Sequence, residues 1–420
     1  MRRGRNIFLT GPPGSGKSYV LSAYVAWAEK VGRKVALTAS TGIAASLLGG
    51  ITVHSWSGMA LTQQLNKYDV DRLIGKQFLK ERFNATDILI IDEISMLSGR
   101  VLNDLNTLLK LGRNSNLAFG GIQTIFAGDF FQLPPVNAGP IGYAFMSEAW
   151  READLLACYL SEQHRQQSDE LTDILLALRD HRLTKRHLDL LLSRQGIRHQ
   201  PVTMLMTHNR KADAVNYGRL NQIKGDTKSY KMLTFGNRGA IAELTGSILA
   251  PKELNLKVGA EVMFIANNFS EGFVNGSQGT VVKFRCGKPV VKLKNSRLKL
   301  TVEVHSWKKQ INGTTIAEAV QLPLRLSWAI TVHKSQGMSL DAAEIDLRQS
   351  FAYGMGYVAL SRLKSYNGLY LSGLNSRALQ LDRGVFAFDD LVRSESQANE
   401  RLLTTSSKTR SVRHFVRLLS

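Results

Sequence analysis

The sequence predicts an α/β protein with two parallel-sheet lobes, the second interrupted by a small β-rich unit. Three observations carry that expectation. Short apolar runs alternate with helical periods over residues 6–127; strands apolar on both faces belong to parallel sheets covered by helices on each side. Over residues 258–307 the pattern changes to several short strands parted by turn signals at Asn275-Gly276, Cys286-Gly287 and Asn295-Ser296, as in a small barrel. Residues 326–331 and 340–347 then return to the first style, so the barrel reads as an insertion.

Residues 6–10 form a short buried strand, followed by a glycine-rich loop at 11–16. Residues 17–30 carry Val20, Leu21, Tyr24, Val25 and Ala28 at a helical period. Gly32 is placed to end that helix as the left-handed residue beyond its cap. Residues 35–39 and 87–91 are the next strands. A helix then carries Leu102, Leu105, Leu108, Leu109 and Leu111, and 122–127 is another strand. Residues 171–192 read as one leucine-rich helix, 203–206 as a strand and 211–220 as a helix. Strands of the barrel are expected at 261–265, 279–284, 289–293 and 299–304. The expected bounds are 1–160 for the first lobe, with a small wedge insertion near 52–70. The second lobe takes 161–254 and 314–392, and the barrel takes 255–313. Residues 393–420, rich in Ser, Thr and Arg, read as a basic tail.

The chain has 420 residues, with 54 Lys and Arg against 34 Asp and Glu, so 54 − 34 = +20. An apolar content of 44% is globular and excludes a disordered chain. The positive excess points to a polyanionic partner. Cys158 and Cys286 form no CxxC pair, so neither a disulfide framework nor a zinc finger is expected. The basic start is followed by Gly11-Pro12-Pro13-Gly14 rather than an apolar signal core. No apolar run is long enough to span a membrane. The expected setting is a reducing, intracellular one: cytoplasm or nucleoid in a prokaryote or virus, nucleus or mitochondrion in a eukaryote.

The loop Gly11-Pro12-Pro13-Gly14-Ser15-Gly16-Lys17-Ser18 matches G-x-x-x-x-G-K-[ST]. Its glycines let backbone N–H groups turn around phosphate oxygens. Lys17 reaches the β- and γ-phosphates, and the Ser18 hydroxyl ligates Mg²⁺. Asp92-Glu93 ends an apolar strand, where a carboxylate faces the nucleotide crevice. Asp92 is expected to hold Mg²⁺, directly or through water, and Glu93 to orient and deprotonate the attacking water. Gln132, in Gly128-Asp129-Phe130-Phe131-Gln132, follows another apolar strand and could sense the γ-phosphate. Arg165 and Arg362 suit the cationic role a second lobe plays at a phosphoryl transition state. Thr331-Val332-His333-Lys334-Ser335-Gln336-Gly337 is dense in groups that contact phosphate and sugar.

In order along the chain, these motifs resemble the Pif-type DNA helicases of superfamily 1, in its RecD-like branch. Thr38-Ala39-Ser40-Thr41-Gly42-Ile43-Ala44-Ala45 resembles that family's motif Ia, and Gly49-Gly50-Ile51-Thr52-Val53-His54-Ser55-Trp56-Ser57-Gly58 its next DNA-contacting stretch. Arg113 with Phe119-Gly120-Gly121-Ile122-Gln123 resembles the Pif-type signature, and Leu160 to Gln166 motif IV. Val274-Asn275-Gly276-Ser277-Gln278-Gly279 resembles the inserted barrel, and Tyr357-Val358-Ala359-Leu360-Ser361-Arg362 motif VI. The resemblance implies two RecA-like P-loop NTPase domains with parallel sheets, plus a Src-homology-three-like β-barrel inserted in the second. It implies ATP with Mg²⁺ between the lobes, bound by residues 11–18, Gln132, Arg165 and Arg362. It implies ATP-driven 5′-to-3′ movement on single-stranded DNA, unwinding of duplex and forked DNA, and a part in replication, recombination or repair. It places Thr41, His54, Ser55, His333, Lys334 and Gln336 at or near the DNA; Trp56, Phe130 and Phe131 are candidate base-stacking residues, with a core position the commoner fate of such lone aromatics. A monomer is expected, with DNA-induced dimerisation as a variant. The alternative is a DNA clamp that ATP switches without unwinding.

Overall fold

The computed structural model describes residues 1–59, 65–135, 142–162, 169–197, 202–268, 270–273, 275–294, 298–311 and 314–406. The first lobe runs β1 (Ile7–Thr10), α1 (Lys17–Lys30), β2 (Val35–Ala39), α2 (Gly42–Leu48), β3 (Ile51–Thr52), α3 (Val53–Ser57), α4 (Lys67–Ile74), α5 (Gln77–Ala85), β4 (Ile88–Asp92), α6 (Gly99–Gly112), β5 (Gln123–Ala127), α7 (Glu148–Glu152) and β6 (Leu156–Tyr159). Its sheet has the order β3-β2-β4-β5-β1-β6 and every neighbouring pair is parallel. The apolar strands explain this. Ile7, Leu9, Ile88 and Ile90 bury one face, Phe8, Leu89, Ile91 and Phe126 the other, so helices must cover both. Loops at the carboxyl ends of β1, β4 and β5 therefore converge on one edge, where ligands of open α/β sheets bind.

The rest runs α8 (Glu170–Arg179), α9 (Lys185–Ser193), β7 (Thr203–Met206), α10 (Asn209–Gln222), β8 (Lys228–Lys231), β9 (Leu233–Gly236), α11 (Arg238–Ser247), β10 (Glu253–Leu256), β11 (Glu261–Phe264), β12 (Gln278–Arg285), β13 (Lys288–Leu293), β14 (Lys299–Thr301), β15 (His305–Ile311), β16 (Thr314–Gln321), β17 (Leu324–Leu326), β18 (Ala329–Thr331), β19 (Ala343–Leu347), α12 (Met355–Leu360), β20 (Leu369–Leu374) and α13 (Arg383–Ser406). A second parallel sheet has the order β18-β7-β19-β20. One apolar cluster continues from Phe8 and Phe130 of the first lobe to Leu205 and Tyr357 of the second.

Several expectations need correction. The expected helix at 171–192 is two helices, broken where Asp180 caps α8 and His181 turns to φ +53°. The Thr184 backbone N–H then donates to His187 Nδ1 at 3.0 Å to start α9. The small β unit is a five-stranded antiparallel sheet, β14-β13-β12-β11-β17, so β17 belongs to it. Strand β15 instead pairs with β16, and β16 with β9, in a separate sheet on which α11 packs. The expected bound at 313 therefore cuts a hairpin, and that at 255 cuts β10. The inserted β-rich region runs from β8 to β17.

Residues 393–406 are not a tail, because they continue α13. Val385, Asp389 and Val392 are buried on one face of that helix. Further along it, the Ser396 hydroxyl accepts from the Tyr159 backbone N–H at 2.9 Å. Near 52–70, Val53 and Trp56 of α3 are core residues of the first lobe; residues 60–64 and 407–420 lie outside the described residues. Among the described residues, no helix is long and apolar enough to cross a membrane.

Candidate active site and nucleic-acid surface

The loop after β1 has the shape its glycines allow. Gly11 passes so close to β6 that a Cβ there would lie 2.4 Å from the Leu160 carbonyl oxygen. Gly16 takes φ +86° at the entry to α1, a conformation glycine adopts without strain. Lys17 Nζ donates to the carbonyls of Gly11 at 2.7 Å and Pro12 at 3.0 Å. Burial lowers its ammonium pKa, against the pull of Asp129, Glu93 and Asp92. The Ser15 hydroxyl is buried and has no partner.

This loop opens into a cleft of about 450 Å³ between the lobes. Its first-lobe walls are Pro13, Gly14, Gly16, Lys17, Ser18, Thr41, Asp92, Glu93 and Gln132, and the second lobe adds Gln336, Gly337 and Arg362. Asp92 ends β4 and accepts the Glu93 backbone N–H at 2.8 Å; burial raises its carboxyl. Glu93 sits in the left-handed region at φ +51°, a costly position for a non-glycine residue that often marks a functional constraint. Its carboxyl is pushed up to about 7, first by burial and then by Asp92, while Arg362, Lys17 and Gln336 pull it down. Gln336 Nε2 donates to Glu93 Oε2 at 2.9 Å and to Gln132 Oε1 at 3.3 Å. Arg362 follows α12, donating from Nε to the Val358 carbonyl at 3.1 Å and from Nη2 to Ser361 Oγ at 2.8 Å.

The cleft thus gathers the expected Lys17, Ser18, Asp92, Glu93, Gln132 and Arg362. Arg165 lies outside the described residues. Gln336, expected at or near the DNA, lines this cleft, where the turn after β18 points its amide at Glu93 and Gln132. Thr41 also lines the cleft. Trp56 and Phe130, expected to stack on bases, are both 4% exposed. Trp56 packs on Phe83 at 5.4 Å between centroids. Phe130 sits among Phe8, Tyr143, Phe145, Trp150 and Phe388. Neither ring has a free face for a base.

The other expected DNA residues lie beyond the carboxyl ends of strands. His54 and Ser55 follow β3, and burial lowers the His54 imidazole, whose Nδ1 has no partner. The Ser55 backbone N–H is capped by Thr52 Oγ1 at 3.2 Å. His333 and Lys334 follow β18. The His333 ring lies nearly parallel to Phe351, 6.1 Å away, and Phe351 is 58% exposed. Burial and His208 lower the His333 imidazole, while burial and Arg325 lower the Lys334 ammonium. Sequence reasoning missed Arg325, Phe351 and a buried ion pair between Arg179 and Asp129, 2.7 Å long. The one available signal was Asp129 beside Gln132, a carboxylate on an apolar segment. A second cavity, about 530 Å³, lies under the opposite edge of the first sheet; the charged pairs Arg5–Asp154 and Arg33–Asp87 belong to its lining.

The chain is similar in sequence and fold to known proteins. Residues 1–186 match the family described as PIF1-like helicase, and residues 242–284 the DNA helicase Pif1 2B domain. The ATP-dependent DNA helicase Pif1 of Psychrobacter sp. (strain PRwf-1) is 39% identical, over 95% of this chain and 71% of that protein. The crystal structure of Pif1 helicase from Candida albicans is 34% identical with a TM-score of 0.78, covering 93% of this chain and 96% of that one. A Bacteroides Pif1 helicase in complex with ADP-AlF3 and ssDNA is 28% identical with a TM-score of 0.66, covering 93% and 94%.

Proposed function

The chain belongs to the PIF1-like helicase family, and from that premise we propose that it is an ATP-driven DNA helicase. It moves 5′ to 3′ on single-stranded DNA and unwinds duplex and forked DNA. The observation that carries this reading is the cleft in which Lys17, Asp92, Glu93 and Gln132 face Gln336 and Arg362 of the other lobe.

The residues fit a triphosphate with its metal: an orphaned buried hydroxyl at Ser15, a loop turned by positive-φ glycines, and a carboxylate at the tip of β4. Lys17 would leave the Gly11 and Pro12 carbonyls for the β- and γ-phosphates. Ser18 and Asp92 would hold Mg²⁺, which when bound neutralises phosphate charge. Glu93, poised near neutrality and held by Gln336, accepts the proton of the attacking water. Gln132 reads the γ-phosphate. Arg362, with Arg165 as the second candidate, stabilises the charge that develops there.

Closure on ATP joins the lobes and hydrolysis releases them. His54 and Ser55 on one lobe and His333 and Lys334 on the other would hold the DNA backbone, so alternating grip yields a step. Steady-state ATP hydrolysis with and without single-stranded DNA tests the reading. Strong stimulation by DNA is expected; equal slow rates would overturn it.

A further inference from the structure

Arg179, the last residue of α8, lies where four elements meet and is buried in full. Its Nε donates to the Tyr159 hydroxyl at 2.9 Å, and its Nη2 to Asp389 Oδ1 of α13 at 2.8 Å. Its Nη1 donates to Asp129 Oδ1 at 2.7 Å and to the Tyr357 hydroxyl of α12 at 3.2 Å. The Tyr357 hydroxyl in turn donates to Asp129 Oδ2 at 3.2 Å. Phe131 lies under the guanidinium, 4.7 Å from its ring centroid. Two of these partners, Asp129 and Tyr159, belong to the first lobe; Tyr357 belongs to the second.

Asp129 is also the start of the turn that presents Gln132. Its Oδ1 accepts the Phe131 N–H at 3.2 Å, and its carbonyl accepts the Gln132 N–H at 3.0 Å. The start of α12 presses on the same turn. A Cβ at Gly354 would lie 2.4 Å from the Phe131 carbonyl oxygen and 2.6 Å from that of Gln132. Arg362 follows the end of α12. A movement of Gln132 therefore reaches α12 through two routes, the Gly354 backbone contact and the Asp129–Tyr357 bond, and Arg179 clamps the second.

Buried ion pairs are poor sources of net stability, because desolvation cancels most of their attraction. A planar fork that meets four partners at once is, however, a precise coupler, and a lysine cannot reproduce it. We propose that Arg179 is a positioning residue that ties the Gln132 turn to the α12–Arg362 segment. Through it, occupation of the nucleotide cleft and closure of the DNA-holding lobes become one event. This rests on the ATPase reading above.

The test compares Arg179→Lys and Tyr357→Phe with the wild type in ATP hydrolysis, with and without saturating single-stranded DNA. A coupling role predicts unchanged KM for ATP within about twofold and a ratio of stimulated to basal rate lowered by roughly tenfold in Arg179→Lys. Tyr357→Phe, which removes one hydroxyl at nearly constant volume, should lower the ratio by about threefold. If Arg179→Lys fails to fold, Tyr357→Phe decides by the same measure. A ratio within twofold of wild type, or equal loss of basal and stimulated rates, overturns the proposal and leaves a structural lock. A wild-type protein without DNA stimulation would instead remove the underlying ATPase reading, and this proposal with it.

Discussion

Replacing Gln336 separates the two roles that its position suggests. The family resemblance placed it at or near the DNA, and its amide bridges Glu93 and Gln132 across the cleft, at 2.9 and 3.3 Å. In Gln336→Leu the volume is nearly kept and both bonds are lost. A hydrogen bond to a charged group contributes about 1.5–3 kcal/mol, so if that bond orients Glu93 in the transition state, kcat falls about 10- to 150-fold. Gln336→Glu should do worse near neutral pH. A new carboxylate beside Glu93 disfavours its ionised form and raises a pKa that already stands at about 7. The base is then protonated over more of the working range, and activity recovers only as pH rises. The assay is steady-state ATP hydrolysis with saturating DNA, run beside equilibrium binding of a fluorescent oligonucleotide. Affinity for DNA should stay within about threefold of wild type, since the amide is engaged by Glu93 and Gln132 within the cleft. Unchanged kcat together with weakened DNA binding would refute this reasoning and return Gln336 to the DNA surface.

Further outcomes follow from the same geometry. Lys17→Ala should abolish hydrolysis while keeping most of the DNA affinity, and a variant with undiminished turnover would remove Lys17 from phosphate binding. Trp56→Ala and Phe130→Ala should each cost about 3–5 kcal/mol of stability in denaturant unfolding; a stably folded variant that loses only DNA affinity would restore the stacking role. The net charge of +20 should make DNA binding strongly salt-dependent, with log K falling by about 0.7 per phosphate contact for each tenfold rise in salt. A flat salt profile would separate the surplus charge from DNA.

Much of the candidate cleft was legible because its residues lie where local signals coincide. Over residues 17–30 the glycine loop, the helical period and Gly32 mark the same helix that the structure forms. Asp92 was legible as a polar residue ending an apolar strand, where parallel sheets bind ligands. What failed was information that only packing supplies. Residue type left Trp56 and Phe130 between a core and a stacking role, and only packing puts both rings in the core. The break between α8 and α9 has neither glycine nor proline, so the leucine pattern ran through it. The insertion was misbounded because turn signals show where strands end, not which strand each one joins. Charges along α13 hid its buried face. Arg179 was invisible because its partners Asp129, Tyr357 and Asp389 meet it only after both lobes fold.

Directional strand displacement tests the central claim most directly. With ATP and Mg²⁺, the protein should unwind a duplex bearing a 5′ single-stranded tail and leave the 3′-tailed duplex paired, and Lys17→Ala should unwind neither. Displacement of the 3′-tailed substrate alone, or of no substrate despite DNA-stimulated ATP hydrolysis, would contradict the account.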